Sequence, residues 1–274
     1  MKIIVLNLLS ICLFLSCSNN SRNIQETKYD IHGNDYRLFK YTPAWELAKA
    51  VQDEDIVAIE NIISSNPNVI NYQDSIYGNT LLMLAITNQQ FNSFKTLLEK
   101  GADVNIHDTF DGTTALIDAC SYNFYDIKYA QMLVAYGADV NDIETGNRRD
   151  GNSTRLTPLI AASKANWLDM VKYLISKGAN VNYQNEFGQS ALSESVILGN
   201  YEVAYYLLLS GADYKKPIFC RPDYTIPLEN VDSNDKGKPI YLSDILKEDS
   251  VDVGLKRYRY KVLIEKFLEN RENL

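Results

Sequence analysis

Four cysteines and two histidines are the residues of this 274-residue chain best equipped for nucleophilic, redox or metal chemistry. Their spacing gives them little of it. His32 stands in a polar stretch, and His107 stands beside Asp108 with no second histidine near, so no zinc-ligand spacing results. The run "DTFDG" shares only its acids with a calcium loop. Cys120 takes a place held by Ile86, Ser163 and Val196 in sister segments, which predicts a packed core thiol. Cys220, between Phe219 and Arg221, is the redox candidate, because a neighbouring guanidinium lowers a thiol pKa. The contexts of the two differ, so they read as two free thiols rather than a bridge. Asp118 and Glu194 are the one carboxylate pair worth testing against glycoside chemistry. That chemistry needs a deep sugar cleft and a definite separation, and their segments lie too far apart in the chain to set one. A solvated acidic groove selecting a basic partner is the reading they support. No Gly-x-Ser-x-Gly elbow, phosphate loop or dinucleotide fingerprint is present. The residues therefore predict no enzyme, no cofactor and no metal; a hydrolase hidden in the inserted loops would lack any constellation.

Cys17 belongs to a different context. "MKIIVLNLLSICLFLSC" has a short positive start and an apolar run broken only by Asn7 and Ser10. The run is too short for a spanning helix, which needs about 20 apolar residues, and reads as a signal-peptide core. "LFLSC" resembles the lipobox of bacterial lipoproteins, in which cleavage precedes a cysteine that is then acylated. The resemblance implies a signal peptide over 1–16, lipid on Cys17, and a tether over 17–42. It places the chain on a bacterial envelope, on the outer membrane facing the periplasm. Residues 18 to 41 are polar without a sustained apolar period, as a tether would be.

Composition bounds the partners. With 46% hydrophobic and 23% charged residues the chain has the makings of a folded domain, not a disordered one. Its formal net charge of −8 argues against nucleic acid and anionic lipid, both of which reward Lys and Arg.

Internal repetition decides the fold class. Four segments end alike: "LLEKGADVN", "LVAYGADVN", "LISKGANVN" and "LLLSGADYK". Each follows a start built around Thr80, Thr114, Thr157 or Ser190, and the separation to Gly101, Gly178 and Gly211 from its own start is 21 residues, against 23 from Thr114 to Gly137. Each glycine sits where a helix must end on a left-handed residue, and each hydroxyl can cap the next helix. Phe94, Leu97 and Leu98, or Val171, Leu174 and Ile175, recur at helical spacing as one apolar stripe. This arrangement resembles the ankyrin repeat, although only Thr157-Pro158-Leu159 keeps that family's turn tripeptide.

The resemblance implies an all-α solenoid of helix-turn-helix repeats joined by β-hairpin loops, about five repeats plus a C-terminal helical cap. Repeats are expected over 43–72, 73–105, 106–141, 154–182 and 186–214, inserts over 142–153 and 215–240, and the cap over 241–274. The cap's inner stripe is expected at Leu255, Tyr258, Val262, Leu263, Phe267 and Leu268. Ends of solenoids need such caps to shield an apolar face. Candidates for binding another protein are Tyr77, His107, Asp108, Phe110, Asp118, Tyr122, Arg148, Arg149, Lys164, Trp167, Phe187 and Glu194, with His107 read as a solvated turn residue. Large aromatics outside a core stripe serve either as interface anchors or as packing between hairpin tips. The resemblance to ankyrin-like lipoproteins narrows the role to an immunity protein that neutralises a secreted phospholipase toxin, or an adaptor supporting an envelope enzyme.

Overall fold

A computed structural model describes residues 32–122, 126–146, 155–185, 188–221, 238–250 and 255–272. The signal and lipidation readings, the core of both inserts, and Cys17, Arg148, Arg149 and Phe187 lie outside the described residues. Residues from His32 onward form one compact unit. Its helices come in antiparallel pairs: α1 (Trp45–Gln52) with α2 (Ile56–Ser65), α3 (Leu81–Thr87) with α4 (Phe91–Glu99), and α5 (Ala115–Cys120) with α6 (Lys128–Ala135). The series continues with α7 (Pro158–Lys164) beside α8 (Leu168–Ser176) and α9 (Ala191–Ile197) beside α10 (Tyr201–Leu209). Helices this short are marginal in water, so stacking must stabilise them. Leu81 to Ile86 of α3 and Pro158 to Ser163 of α7 are buried on every side, because each first helix lies between its counterparts in the neighbouring repeats.

Two local devices punctuate the stack. Thr80, Thr157 and Ser190 cap α3, α7 and α9 by accepting from the amides of Met83, Ile160 and Ser193, and Ser193 returns the bond to the Ser190 amide at 2.7 Å. Thr114, expected to do the same, does not: its buried hydroxyl makes no hydrogen bond. At the other end, Gly101, Gly137, Gly178 and Gly211 take φ between +89° and +95°, and a Cβ there would touch nothing. Conformation alone demands the glycine.

Between repeats runs a ladder of asparagines. The Asn105, Asn141 and Asn182 side chains accept from the amides of Asp139, Asn180 and Asp213 and donate to the carbonyls of Gly137, Gly178 and Gly211, all within 2.7–3.2 Å. Asn71 starts the ladder by accepting from Asp103. Each amide group therefore ties its repeat to the glycine turn of the next.

Both ends differ in detail from expectation. A 3-10 helix over Tyr36–Phe39 buries Tyr36, Leu38 and Phe39 against α1, so part of the stretch read as tether belongs to the folded unit. At the C-terminus, β1 (Phe219–Arg221) pairs antiparallel with β2 (Lys238–Ile240), closing the second insert at its base. Then α11 (Leu242–Glu248) leads to α12 (Lys256–Glu272), which packs on α10. The stripe of α12 is not quite the one expected. Ile264 and Leu268 are buried, Leu255 is exposed, and Tyr258, Val262, Leu263 and Phe267 are half-buried. Polar contacts set this rotation: Tyr260 donates to Glu202 at 2.7 Å, Lys256 pairs with the same carboxylate at 2.6 Å, and Lys261 donates to the Asp249 carbonyl.

Removing one rung of the ladder by Asn141→Ala should lower unfolding free energy by about 1–2 kcal/mol, from two lost hydrogen bonds of about 0.5–1.5 kcal/mol each. Gly178→Ala should cost about 1 kcal/mol: the left-handed penalty is roughly 1–2 kcal/mol, partly offset in the unfolded chain. Urea denaturation followed by circular dichroism measures both.

Candidate functional site

The hairpins that precede α3 and α5 are each built around one buried aspartate. Asp74 accepts from the amides of Ile76, Tyr77 and Asn79 at 2.8 Å. Asp108 accepts from Phe110 and Asp111 at 2.7 Å, Gly112 at 3.2 Å and Thr113 at 3.0 Å. Asn185 does a similar service for Gln189 at 2.9 Å. A carboxylate that accepts several amides fixes a tight loop and holds its tip outward. The tips then join edge to edge: Thr109 donates to the Tyr77 carbonyl at 2.9 Å, and Thr145 and Gly146 donate to Gly112 and Asp111 at 2.9 and 3.0 Å. A Cβ on Gly112 would lie 1.9 Å from the Gly146 nitrogen, so the close approach requires glycine.

This wiring changes the meaning of two expected binding residues. Asp108 is buried and spent on its own loop. His107, expected to be solvated, is half-buried: Nδ1 donates to the Gly112 carbonyl at 2.7 Å and Nε2 lies 3.3 Å from Asp142. Gln73 and Gln184 make the matching bond to Gly78 and Gly188, at 2.7 and 2.8 Å, so His107 serves the hairpin as a glutamine does elsewhere.

What the hairpins present is aromatic. Tyr77 and Phe110 meet edge to face with centroids 5.5 Å apart, so the two tips pack on each other. Phe110 nevertheless remains 42% exposed, and Tyr122, just past α5, 53%. These three rings, with Asp118 and Thr113, line a hollow of about 280 Å³. Its far wall is Gly33 and Asn34, whose carbonyls accept from Asn79 at 3.0 Å and Asn88 at 2.9 Å. The sequence reading gave no hint of that wall, since "HGND" looks like linker.

Asp118 and Glu194 stand four residues after Thr114 and Ser190, but they do not form one solvated acidic groove. Glu194 is buried with Lys164 3.8 Å away, a pair that also gives the Lys164 ammonium an internal partner. Trp167 is half-buried at the start of α8. Asp118 alone opens on the hollow. Desolvation first, then the charges of Asp108, Asp111 and Glu144, push its carboxyl up to about 8. Cys120, two residues on, is a free, fully buried thiol whose pKa burial drives upward, consistent with a core thiol and not with a nucleophile. Among the described residues no group of three or more His, Cys, Asp or Glu is placed to hold a metal ion.

The raised carboxyl pKa makes stability depend on pH. In the unfolded chain Asp118 titrates near 3.8, so between about pH 4 and 8 the native state holds the extra proton and stability falls as pH rises. Asp118→Asn removes this slope. The variant should match the parent near pH 4 and melt higher at pH 8. The advantage should grow by well under ~1.4 kcal/mol per pH unit, because Asp118 keeps some solvent contact. Thermal melts at pH 4, 6 and 8 test it.

Comparison with known proteins agrees with the helix pairs, glycine turns and hairpins. The family model "Ankyrin repeats (3 copies)" matches residues 47–144 and 142–217, more than half of the chain. An ankyrin repeat protein of Acanthamoeba polyphaga mimivirus is 27% identical over 192 residues, covering 68% of this chain and 23% of its own. One from Fowlpox virus (strain NVSL) is 27% identical over 198 residues, covering 72% and 32%. Human neurogenic locus notch homolog protein 1 is 32% identical over 169 residues, covering 61% and 6%. The chain thus spans no more than 32% of the length of these relatives. They also correct the expected localisation: the relatives come from viruses and animals, not from bacteria, and the bacterial-envelope placement is withdrawn. Among the described residues no helix is long and apolar enough to cross a membrane. Built from stacked helix pairs and matched by the family model over most of its repeats, the chain belongs to the ankyrin-repeat family, whose fold is a scaffold for protein–protein interaction.

Proposed function

We propose that this scaffold binds one partner protein at the joined tips of its second and third repeats, with Phe110 and Tyr122 as the anchors. The observation that carries the reading is their convergence. Two exposed rings rim a single hollow, and Tyr77 and Asp118, which also line it, come from separate turns of the solenoid. Exposed aromatics on a rigid frame lose little conformational entropy on burial, which is why such residues dominate interface energies. The frame here is rigid for a stated reason: the amides of both tips are held by buried aspartates.

Two finer roles are compatible with that surface. As an inhibitor, the chain would neutralise a phospholipase by one-to-one binding; as an adaptor, it would support an enzyme without blocking it. Both rest on family resemblance and on the same contact surface.

Crosslinked affinity capture with the full chain, run beside a bait carrying Phe110→Ala and Tyr122→Ala, tests the reading. One protein should be recovered near equal stoichiometry on the parent bait and at least tenfold less on the variant, a loss of about 1.4 kcal/mol or more. Both substitutions remove exposed rings, so helix content should be unchanged. Equal recovery on the two baits, or no enriched protein across growth conditions, defeats the proposal. The captured protein's activity at a one-to-one ratio then separates inhibitor from adaptor.

A further inference from the structure

Asp118 is the residue that the fold leaves without a purpose. Its counterparts four residues after the other helix starts are Leu84, Ala161 and Glu194. The first two are buried apolar side chains, and Glu194 has Lys164 beside it. Asp118 has no lysine or arginine at ion-pair distance among the described residues. It faces further acids instead: Asp108 and Asp111 from its own hairpin, and Glu144 from the next. A carboxylate in such surroundings is costly unless something else compensates its charge.

A second observation points to what that is. Thr113 is nine-tenths buried and lines the same hollow; its hydroxyl lies against the Asp118 carboxylate and has no other hydrogen-bond partner among the described residues. The hollow thus offers a charge acceptor and, beside it, a hydroxyl oxygen able to accept, with exposed rings at its rim. Its volume of about 280 Å³ lies just under the range of small-molecule pockets, about 300–1,000 Å³, and suits one side chain better than a cofactor. A divalent cation would want six or more oxygen ligands in a shell, and the described residues provide no such cluster. An ammonium at the end of an apolar stem matches every element. The charge meets the carboxylate, one N–H finds the hydroxyl oxygen, and the methylenes lie along aromatic rings, which also attract the cation.

We propose that this hollow is the receptor for a lysine side chain of the partner protein, a proposal that rests on the protein-binding reading above: the ammonium pairs with Asp118 and donates to Thr113, while Tyr77, Phe110 and Tyr122 enclose the stem. The protonation of Asp118 makes the receptor sensitive to pH. Binding must displace that proton, so affinity rises with pH up to about 8, by at most about tenfold per unit.

The test is amide-resolved NMR on the full chain at pH 8.5 with N-acetyl-lysine methylamide as probe. Its norleucine counterpart and calcium chloride serve as competitors in chemistry. The lysine probe should shift the amides of Thr113, Asp118 and Tyr122 saturably, and the norleucine probe at least tenfold more weakly. Asp118→Asn should weaken the lysine response at least tenfold. Tyr122→Ala, at a ring that is 53% exposed, should weaken it severalfold while the amide dispersion of the parent fold is retained. Equal response to lysine and norleucine, preference for calcium, affinity that does not change between pH 6 and 8, or no saturable shift overturns the proposal. Its failure is separable from that of the scaffold reading. A captured partner that binds the Asp118→Asn chain as well as the parent, but not the Phe110→Ala, Tyr122→Ala chain, removes the lysine receptor and leaves the protein-binding surface standing.

Discussion

The asparagine ladder is the constraint on which the rest of this molecule depends. The first helices have only six to eight residues each, too few to persist unless their neighbours are held in register. Asn105, Asn141 and Asn182 hold them by reading both an amide and a carbonyl of the next repeat's glycine turn. Such a bond pair is sensitive to rise and to rotation, so it fixes the stacking geometry more tightly than apolar burial, which is non-directional. The glycines complete the device: their left-handed turn presents the carbonyl that the asparagine needs.

With stacking fixed, the hairpins can be brought into contact at their tips. Asp74 and Asp108 solve the local problem of a tight loop whose amides would otherwise lie unpaired, and the solution places Tyr77 and Phe110 side by side. Asp108, with Asp111 of the same hairpin, also charges the environment of Asp118. The features that build the loop therefore also tune the side chain beneath it, and structure and electrostatics of the hollow cannot be altered independently.

Departures from the repeat carry more information than the repeat itself. At the position of Asp118 the fold accepts Leu84 or Ala161, and where it carries Glu194 it adds Lys164. Thr114 occupies a capping position without capping. Both irregularities fall in the third repeat, beside the hollow. Local choices that disagree with the consensus of their own chain are where function is expected to sit, because folding alone does not explain them.

The sequence by itself determined the architecture. A period written four times over, with glycine where a helix must stop and a hydroxyl where one must start, leaves one solution, since those requirements are local and read off single residues. It also named Phe110, Asp118 and Tyr122 among its candidates for binding a partner. Tertiary structure alone decided which of the candidates share a place. His107 and Glu194 look as available as Asp118 in a string of letters, yet each has an internal partner across hairpins or repeats that sequence spacing cannot show, and Asp108 is spent on the amides of its own loop. The docking of Gly33 and Asn34 onto Asn79 and Asn88 was equally invisible. It depends on contacts between residues some 46 and 54 positions apart, and no local preference encodes such a meeting.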